Sequence, residues 1–414
     1  MTEDVTILSL GHLGDGVAQG PHGEIFVPFV LSGEDVRIGD INAGHAELLK
    51  VLAPSPHRVA PSCRHFGTCG GCALQHVDAS AYAEWKQAQV VATLRSRGID
   101  CEVTPLVTAT PHSRRRATFA ATRTKKGVTL GYYARGSHTI IAIEECPLVV
   151  PEIERALAGL AHLVEAGLSR KGRAAISVTS TATGLDVAVT GGKEATEGLL
   201  RAELAKRAAA MDLARLAWEG DVLAERRTPL VDLSGLKVAP PPGAFLQATA
   251  EGEAALVRLV LEGVGEAKRV ADLFSGCGTF TAALAKRASV LAVESEKPQV
   301  NALDRALRMQ GPALSLKPVE LLIRDLFRRP MLPSELLKTD AVVFDPPRAG
   351  AAAQSEMLAK SAVPVVVAVS CNPATFARDA RTLIDGGYTL TRVTPVDQFL
   401  WSPHIELVGF FRKD

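Results

Sequence analysis

The hydrophobic positions after Pro240 fall into short apolar runs, and each run ends at a polar or glycine-rich stretch. Amphipathic segments separate the runs. Runs of this length are typical of strands buried on both faces, and their alternation with helices predicts a doubly wound α/β sheet. The five predicted strands cover residues 270–274, 290–293, 321–323, 341–344 and 365–369.

The polar stretches that follow these strands carry the candidate chemistry. In open parallel sheets, ligands bind outside the carboxyl ends of the strands, so we expect the stretches to meet in one cleft. They are Ser275-Gly276-Cys277-Gly278-Thr279, Glu294, Arg324-Asp325, Asp345-Pro346-Pro347-Arg348 and Ser370-Cys371-Asn372-Pro373.

Cys371 stands directly after the fifth apolar run. Asn372 and Pro373 predict the N-cap and first position of a helix over residues 374–383. Because a helix N-terminus lowers the pKa of a nearby thiol, the position suits a nucleophile. A small buried core cysteine is the alternative that this stretch by itself leaves open.

The glycine-rich loop after the first strand is compatible with two kinds of adenosine ligand, a dinucleotide or S-adenosylmethionine. Glu294, at the end of the second strand, suits a ribose diol in both cases. Asp345-Pro346-Pro347 is typical of methyltransferases, and hydride transfer has no use for a thiol at Cys371. The combination favours S-adenosylmethionine.

The first 54 residues are strongly acidic, with a net charge of −6. Their short apolar runs are broken by glycines, which predicts a small antiparallel β-barrel. Such barrels often bind oligonucleotides, but an acidic one should repel phosphate. A structural role and direct RNA contact both remain open for this segment.

Residues 55–240 are predicted to form a central α+β domain that begins with a cysteine cluster. Cys63, Cys69 and Cys72 lie within ten residues, and Cys146 is a plausible fourth ligand. Thiolates at this spacing suit a zinc ion or an iron–sulfur cluster, and the spacing does not separate the two.

Residues 55–150 reverse the charge balance and carry a net charge of +6. The densest part is Arg114-Arg115-Arg116, and Tyr132 and Tyr133 follow among further basic residues. Basic side chains interleaved with aromatic ones are typical of surfaces that bind single-stranded RNA. A solvated charged face is the alternative.

Overall composition restricts the class of protein. An apolar fraction of 47% over 414 residues is sufficient for two or three domains with their own cores. Seven clustered cysteines fit a reducing compartment better than a disulfide framework. With neither a signal peptide nor a long apolar run in the sequence, we expect a cytoplasmic monomer without membrane contact.

Together these motifs resemble the RNA uracil-5-methyltransferases, most closely the bacterial branch that acts on 23S ribosomal RNA. The segments that match are Cys63 to Cys72 with Cys146, Phe245-Leu246-Gln247, 272–280, Glu294, Asp345-Pro346-Pro347-Arg348, Ser370-Cys371-Asn372-Pro373 and Ser402-Pro403-His404-Ile405-Glu406. The resemblance implies a TRAM-type, OB-like barrel over residues 1–54, a [4Fe–4S] domain over 55–240 and a Rossmann-like class I methyltransferase domain over 241–414. It also implies that Cys63, Cys69, Cys72 and Cys146 ligate the cluster.

The same resemblance assigns roles in the methylation of uridine C5 in RNA. Cys371 would be the nucleophile and Glu406 the proton acceptor, while six residues would face S-adenosylmethionine or the target base: Gln247, Phe274, Thr279, Glu294, Asp325 and Asp345. The chain departs from the family pattern at Ser275, Thr279 and Ser402, where Cys, Asn and Thr are usual. These polar exchanges affect expected donor contacts more than the expected reaction.

The chemistry explains why the reaction needs these residue types. C5 of uracil is a weak nucleophile, so a thiolate must first add at C6, and a base must later remove the C5 proton. Glu406 lies between Ile405 and Leu407, which predicts a desolvated carboxyl with a raised pKa. 23S ribosomal RNA is the favoured substrate, with transfer RNA as the alternative; a base-amino methyltransferase and a non-catalytic RNA-binding factor are the rival classes.

Overall fold

The computed structural model describes residues 2–195 and 198–413. Within those ranges, none of the helices combines the length and the apolar character needed to span a bilayer.

The N-terminal segment forms two three-stranded antiparallel sheets around one small core. Its strands are β1 (Glu3–Thr6), β2 (Ser9–Leu10), β3 (Gly16–Gly20), β4 (Gly23–Val27), β5 (Asp35–Ile38) and β6 (Leu48–Ala53). The sheet orders are β1-β5-β6 and β2-β3-β4. Ile7, Val27 and Val36 are buried between the sheets, which follows from the alternation of apolar and polar residues along each strand.

Two ion pairs attach this segment to the rest of the chain. The buried Glu34 carboxylate accepts hydrogen bonds from the Arg58 guanidinium at 2.6 and 2.7 Å. Asp15 pairs with Arg135, which lies in the turn after the sheet strand that ends at Tyr133. The acidic charge of the N-terminal segment is therefore used in part for docking.

The middle of the chain supplies a seven-stranded sheet. Its order is β10-β9-β8-β11-β12-β13-β14. Residues 79–238 contain α1 (Ala79–Arg95), β7 (Glu102–Val103), β8 (Arg116–Thr124), β9 (Gly127–Tyr133), β10 (Ile140–Ala142), α2 (Pro151–Gly167), β11 (Arg173–Thr181), β12 (Gly184–Thr190), α3 (Gly198–Ala210), β13 (Arg215–Trp218), β14 (Asp221–Glu225), β15 (Val231–Leu233) and β16 (Leu236–Val238). Helices α2 and α3 cover one face, where Leu160, Leu163 and Leu204 are fully buried.

The C-terminal part forms an eight-stranded sheet with helices on both faces. Its elements are α4 (Ala250–Val264), β17 (Arg269–Leu273), α5 (Thr281–Leu284), β18 (Ser289–Glu294), α6 (Lys297–Gln310), β19 (Val319–Ile323), a 3₁₀ turn (Pro333–Leu336), β20 (Ala341–Phe344), α7 (Ala352–Ala359), β21 (Val365–Ser370), α8 (Pro373–Asp385), β22 (Thr389–Val396) and β23 (Glu406–Arg412). The five strands predicted from the apolar runs are β17 to β21, and they pair in parallel in the order β19-β18-β17-β20-β21.

Three further strands extend this sheet. β23 runs antiparallel between β21 and β22, and the two-residue strand β7 pairs with the outer edge of β22. Val90 and Leu94 of α1 are buried in the same core. The predicted boundary at residue 240 therefore does not follow the packing, because α1 and β7 lie before it in sequence and bury their apolar side chains against the C-terminal sheet.

Candidate active site

A cavity of about 480 Å³ opens at the carboxyl ends of the five parallel strands. It lies beside the point between β17 and β20 where the strand order reverses, which is the usual ligand position in such sheets. Six of the predicted site residues line it: Phe274, Glu294, Asp325, Asp345, Cys371 and Glu406. The prediction that these strand ends share one cleft is confirmed.

Two larger cavities, of about 680 and 720 Å³, lie along α4 and α6. No cysteine or histidine is among the described residues that line them. The cavity at the strand ends is therefore the candidate active site because of the side chains that line it, and not because of its volume.

The loop after β17 forms one wall through a strained backbone. Phe274 has a φ of 61°, a left-handed conformation that costs a bulky residue on the order of 1–3 kcal/mol. Its ring packs on Phe327 with the centroids 5.5 Å apart. Gly278 has a φ of 96°, and a Cβ there would lie 2.6 Å from Leu303. The loop consequently turns back sharply, and its residues Phe274 and Gly276 line the cavity whereas Thr279 does not.

The Glu294 carboxylate is held by backbone amides at the end of β18. Oε1 accepts hydrogen bonds from the amides of Ser295 and Glu296, and Oε2 accepts one from Gly276 at 2.9 Å. Each carboxylate oxygen has two lone-pair sites, so Oε2 can still accept a hydrogen bond from a ligand hydroxyl. The orientation fits the predicted contact with a ribose diol.

Gln247 reaches the cavity through Asp345. The Gln247 amide nitrogen donates to Asp345 Oδ2 at 2.9 Å, and its amide oxygen accepts a hydrogen bond of 2.7 Å from Gln398. Gln398 therefore fixes which end of the Gln247 amide faces the carboxylate. Burial raises the pKa of Asp345 to about 7, and the Gln247 hydrogen bond opposes the rise.

Cys371 follows β21 directly, and Asn372 caps α8 as the sequence predicts. The Asn372 side chain accepts a hydrogen bond from the Ala374 amide and donates one to the Arg348 carbonyl, so it also ties the Asp345–Arg348 segment to the helix. The predicted lowering of the thiol pKa is wrong. Burial, followed by the charges of Glu406 and Asp345, raises the pKa of Cys371 to about 12, and Arg348 opposes that rise.

Glu406 is the first residue of β23, and its carboxyl is buried in the cavity wall. Its Oε2 has no hydrogen-bond partner within the described chain. Burial, and then the negative charge of Asp345, raise the pKa of Glu406 well above its usual value. The raised pKa predicted from the apolar neighbours of Glu406 is confirmed, and a carboxylate in this environment is a stronger base than an exposed one.

Several basic residues of the predicted RNA-binding surface form contacts within the protein. Arg115 pairs with Glu253, Arg135 pairs with Asp15, and Arg123 donates to the Leu168 carbonyl. Arg114 lies over the ring of Phe399, and Arg116 lies over the ring of Phe245, which lines the cavity. Of the two tyrosines, Tyr133 is exposed, whereas Tyr132 packs on Phe119 beside the cysteine cluster.

The four cysteines of the predicted cluster line one small enclosed pocket beneath the central sheet. Burial raises the pKa of Cys72 to about 12, and the charges of the other three thiols add to the rise. A Cβ at Gly71 would lie 3.4 Å from the Cys69 sulfur, so the glycine leaves the pocket free of a side chain at that point. Across residues 2–195 and 198–413, no set of three or more His, Cys, Asp or Glu side chains has the spacing for a single metal ion.

The family described as tRNA (Uracil-5-)-methyltransferase matches residues 321–414. Over its full length the chain is 49% identical to an uncharacterized RNA methyltransferase of Brucella suis, and the match covers 98% of that protein. It is 35% identical to the 23S rRNA (uracil(1939)-C(5))-methyltransferase RlmD of Chromohalobacter salexigens, over 100% of this chain and 90% of RlmD.

A solved structure has the same overall fold. It is a Pyrococcus abyssi tRNA (uracil-54, C5)-methyltransferase in complex with S-adenosyl-L-homocysteine, with a TM-score of 0.76 and 24% identity, covering 99% of this chain and 100% of that one. The fold and the cavity at the strand ends are thus those of an open α/β sheet with a ligand-sized site at its switch point. Taken with the full-length matches, they show that the chain belongs to the RNA uracil-C5-methyltransferase family.

Proposed function

We propose that this enzyme methylates C5 of a uridine in RNA through a covalent adduct on Cys371. The observation that carries the proposal is the meeting of Cys371, Asp345 and Glu406 in one cavity. A nucleophile and a base are both needed there, and a base-amino methyltransferase or a binding factor would have no use for the pair.

The reaction begins at the thiol. As substrate binds, the Cys371 thiol and the Glu406 carboxyl each lose a proton to water, and the Cys371 sulfur forms a bond to C6 of the uracil ring. The resulting enolate attacks the sulfonium methyl group, so a C5–methyl bond forms as the methyl–sulfur bond of the donor breaks. The pKa of Cys371 is about 12 before RNA binds, and the positive charge of Arg348 and a backbone amide hydrogen bond both favour the thiolate.

Glu406 completes the reaction. Its ionised carboxylate takes the C5 proton, and the electron pair of the C–H bond restores the C5–C6 double bond as the C6–sulfur bond breaks. Burial of the carboxylate makes it a stronger base for this step. Glu406 begins β23, and the next residue, Leu407, pairs with Ser370 at the end of β21. The Glu406 carboxylate therefore lies on the same side of the cavity as the end of β21.

The methyl donor is S-adenosylmethionine in this proposal. Support comes from the Glu294 carboxylate and from Phe274 and Gly276, which line the same cavity, and the P. abyssi enzyme of the same fold is in complex with S-adenosyl-L-homocysteine. Phe274 and Phe327 offer apolar ring surface beside these polar groups. Asp325 accepts a hydrogen bond from the Phe327 amide, which holds that wall in place.

We favour 23S ribosomal RNA as substrate, because RlmD matches this chain along its entire length. Transfer RNA is the alternative, since it appears in the name of the family that matches the C-terminal part. In both cases the target uridine must be unpaired or flipped out of its helix to reach the partly buried Cys371 thiol. We place the activity in the cytoplasm and expect a monomer.

We also propose that Cys63, Cys69, Cys72 and Cys146 hold a [4Fe–4S] cluster. The four thiols line one pocket, and the absence of a side chain at Gly71 leaves the Cys69 sulfur unobstructed on that side. Bound there, the cluster would cross-link the 63–72 segment to the strand-end turn at Cys146, and the methyl transfer itself requires no electron from it. Iron content and visible absorbance of protein purified without oxygen, against a Cys72→Ser variant, test this assignment.

The decisive experiment uses RNA that contains 5-fluorouridine. Fluorine at C5 cannot leave as a proton, so the Cys371 adduct should persist and migrate slowly on a denaturing gel. We expect the band with wild-type protein and S-adenosylmethionine, and we expect it to vanish in Cys371→Ala.

Cys101→Ala is the matched control, since Cys101 is also a partly buried free thiol but does not line the cavity. Parallel reactions with 23S ribosomal RNA and transfer RNA transcripts identify the substrate. Absence of the band with both RNAs, from protein that binds the donor, would rule the proposal out.

A further inference from the structure

The segment between β22 and β23, residues 397–405, leads directly into Glu406. We call it the 397–405 loop. It begins at Asp397, whose carboxylate is buried, and it ends one residue before the base. Whatever fixes this loop therefore fixes where the Glu406 carboxylate lies.

Lys86 of α1 holds both ends of the 397–405 loop. Its ammonium group donates to Asp397 Oδ1 at 2.8 Å, to the His404 carbonyl at 2.7 Å and to the Phe399 carbonyl at 3.4 Å. An ammonium has three donors, and here all three point to this one loop. The Lys86 side chain is 1% exposed, so water does not compete for these bonds.

Tyr82, one helical turn earlier, binds the middle of the same loop. Its hydroxyl donates to Asp397 Oδ2 at 2.7 Å and accepts a hydrogen bond from the Trp401 amide at 2.9 Å. The Lys86 ammonium also lies 4.9 Å from the centre of the Tyr82 ring. The two side chains of α1 therefore form one buried polar network with the loop.

The cysteine segment contacts the loop from the other side. The Trp401 carbonyl accepts hydrogen bonds from the amides of Ala73 and Leu74, at 2.8 and 3.1 Å, directly after Cys72. Trp401 has a φ of 57°, a left-handed conformation that persists only where its surroundings determine it. These contacts set the path of the loop between two parts of the chain far from it in sequence.

A buried ion pair adds little net stability compared with apolar packing, since desolvation offsets the attraction. The ion pair acts on geometry instead. If an apolar side chain replaced Lys86, the carbonyls of Phe399 and His404 would lose the donor they share and would be free to turn. We propose that Lys86 is a positioning residue for Glu406: it fixes Asp397 and the His404 carbonyl, and so keeps the base against the C5 proton. This inference rests on the proposed covalent mechanism and adds a residue to it.

A misplaced Glu406 should affect one step of the reaction, the loss of the C5 proton. Bond formation between Cys371 and C6, and transfer of the methyl group to C5, do not use Glu406. Loss of the C5 proton does, and the C6–sulfur bond cannot break before that proton leaves. A misplaced Glu406 should therefore let the methylated adduct form and then accumulate on ordinary uridine RNA.

The test compares Lys86→Met with Lys413→Met. Lys413 also holds two backbone carbonyls, of Ala359 and Ser361, and also lies 4.9 Å from a tyrosine ring, but it follows the far end of β23. With uridine RNA and S-adenosylmethionine, we expect a gel-stable adduct in Lys86→Met and none in Lys413→Met. Turnover should fall on the order of a hundredfold, the effect of a misplacement of about 1 Å, with donor affinity unchanged.

Tyr82→Phe is the second variant, because it removes one hydroxyl and leaves no charge unpaired; it should accumulate the adduct to a smaller extent. It decides the question if Lys86→Met fails to fold. Fluorouridine RNA separates the two proposals: no adduct with wild-type protein contradicts the covalent mechanism itself. If every variant forms the adduct with fluorouridine RNA, the covalent mechanism stands. If neither Lys86→Met nor Tyr82→Phe then accumulates an adduct with uridine RNA, the proposed role of Lys86 is wrong.

Discussion

Cys371 and Glu406 line one cavity, and the negative charge of Glu406 disfavours the ionised form of the Cys371 thiol. Burial contributes most to the rise in the pKa of the Cys371 thiol to about 12, and the charge of Glu406 is the next contribution. The free enzyme therefore keeps its thiol protonated and unreactive. In the proposed mechanism the thiolate arises only with substrate, which protects Cys371 from unrelated electrophiles.

Glu406→Gln should make Cys371 more reactive toward iodoacetamide. Removal of the carboxylate charge lowers the thiol pKa, by on the order of one unit, and the rate of alkylation at a fixed pH follows the thiolate fraction. Because Glu406 carries its charge only above its own raised pKa, the difference should appear in the alkaline part of the pH profile. Mass spectrometry of the peptide that contains Cys371 measures it.

Cys101 supplies the internal control for that experiment. Its pKa is raised to about 11 by burial and by Asp100 and Glu102, and it does not line the active cavity. Its alkylation rate should not change in Glu406→Gln. Equal profiles for Cys371 in both proteins would show that Glu406 does not act on the thiol.

The sequence alone predicts the parts of the site that depend on local pattern. Cys371 and Asp345 each follow an apolar run that becomes a buried parallel strand, and Asn372 caps the next helix as expected. In a parallel sheet such strand ends lie side by side whatever the rest of the chain does. The residues at the cleft are therefore predictable from the hydrophobic pattern and the position of polar residues after it.

The parts that depend on distant packing are not predictable in this way. The pKa of the Cys371 thiol is raised, not lowered as the sequence predicts, because burial and two carboxylates outweigh the effect of the helix N-terminus. Lys86 and Asp397 are 311 residues apart, and a lysine in an amphipathic helix gives no sign of being buried. Gln398, which orients Gln247, is similarly unremarkable in the sequence.

Gln398→Leu should weaken catalysis without unfolding the protein. It removes the donor that fixes the Gln247 amide, so the amide can turn its oxygen toward Asp345 and repel the carboxylate. Loss of one such hydrogen bond costs about 1 kcal/mol, which corresponds to roughly a fivefold to tenfold fall in kcat/KM. Single-turnover methylation of RNA measures the effect.

Gln354→Leu is the comparison for Gln398→Leu. Gln354 is equally buried and bonds to the amide and carbonyl of Met331, outside the active cavity. It should lower the melting temperature and leave kcat/KM unchanged. A similar fall in kcat/KM for both variants would mean that Gln398 acts through stability.

Asp272→Asn should stabilise the protein at neutral and alkaline pH. Burial raises the pKa of Asp272 from 3.8 to about 7, and its Oδ1 has no partner within the described chain. A folded-state pKa above the unfolded value means that stability falls as the pH rises from about 4 to about 7. Asparagine has no charge to bury, so the variant should gain on the order of 4 kcal/mol above that window and little below it.

Urea denaturation at several pH values checks this expectation. The hydroxyl of Thr281 donates to Asp272 and can donate equally to the asparagine oxygen, so the local hydrogen bond is retained. A gain that is the same at every pH would show that packing, and not the carboxyl charge, is responsible.

Arg58→Met should release the N-terminal sheets from the rest of the protein. Glu34 is fully buried and would lose the guanidinium that donates to both its oxygens, at a cost of about 3 kcal/mol. Burial alone would raise the pKa of Glu34, but hydrogen bonds from Arg58 and from the amides of Ser55 and Leu31 outweigh it and hold the pKa below its usual value. The stabilisation is therefore present at neutral pH and is lost as the pH falls through the folded-state pKa, so Arg58→Met should differ least from wild type under acidic conditions.

Hydrogen exchange of residues 3–53 is the direct measurement of this release. Arg37→Met is the matched variant, because Arg37 makes an equally short contact with Asp4 on the exposed surface of the same sheets, where water replaces a lost partner. Faster exchange over the whole segment in Arg58→Met but not in Arg37→Met would show that the Glu34 pair joins the sheets to the body of the enzyme. If methylation of RNA persists while the segment is released, its role is structural; if methylation falls with RNA affinity, the acidic sheets take part in RNA binding despite their charge.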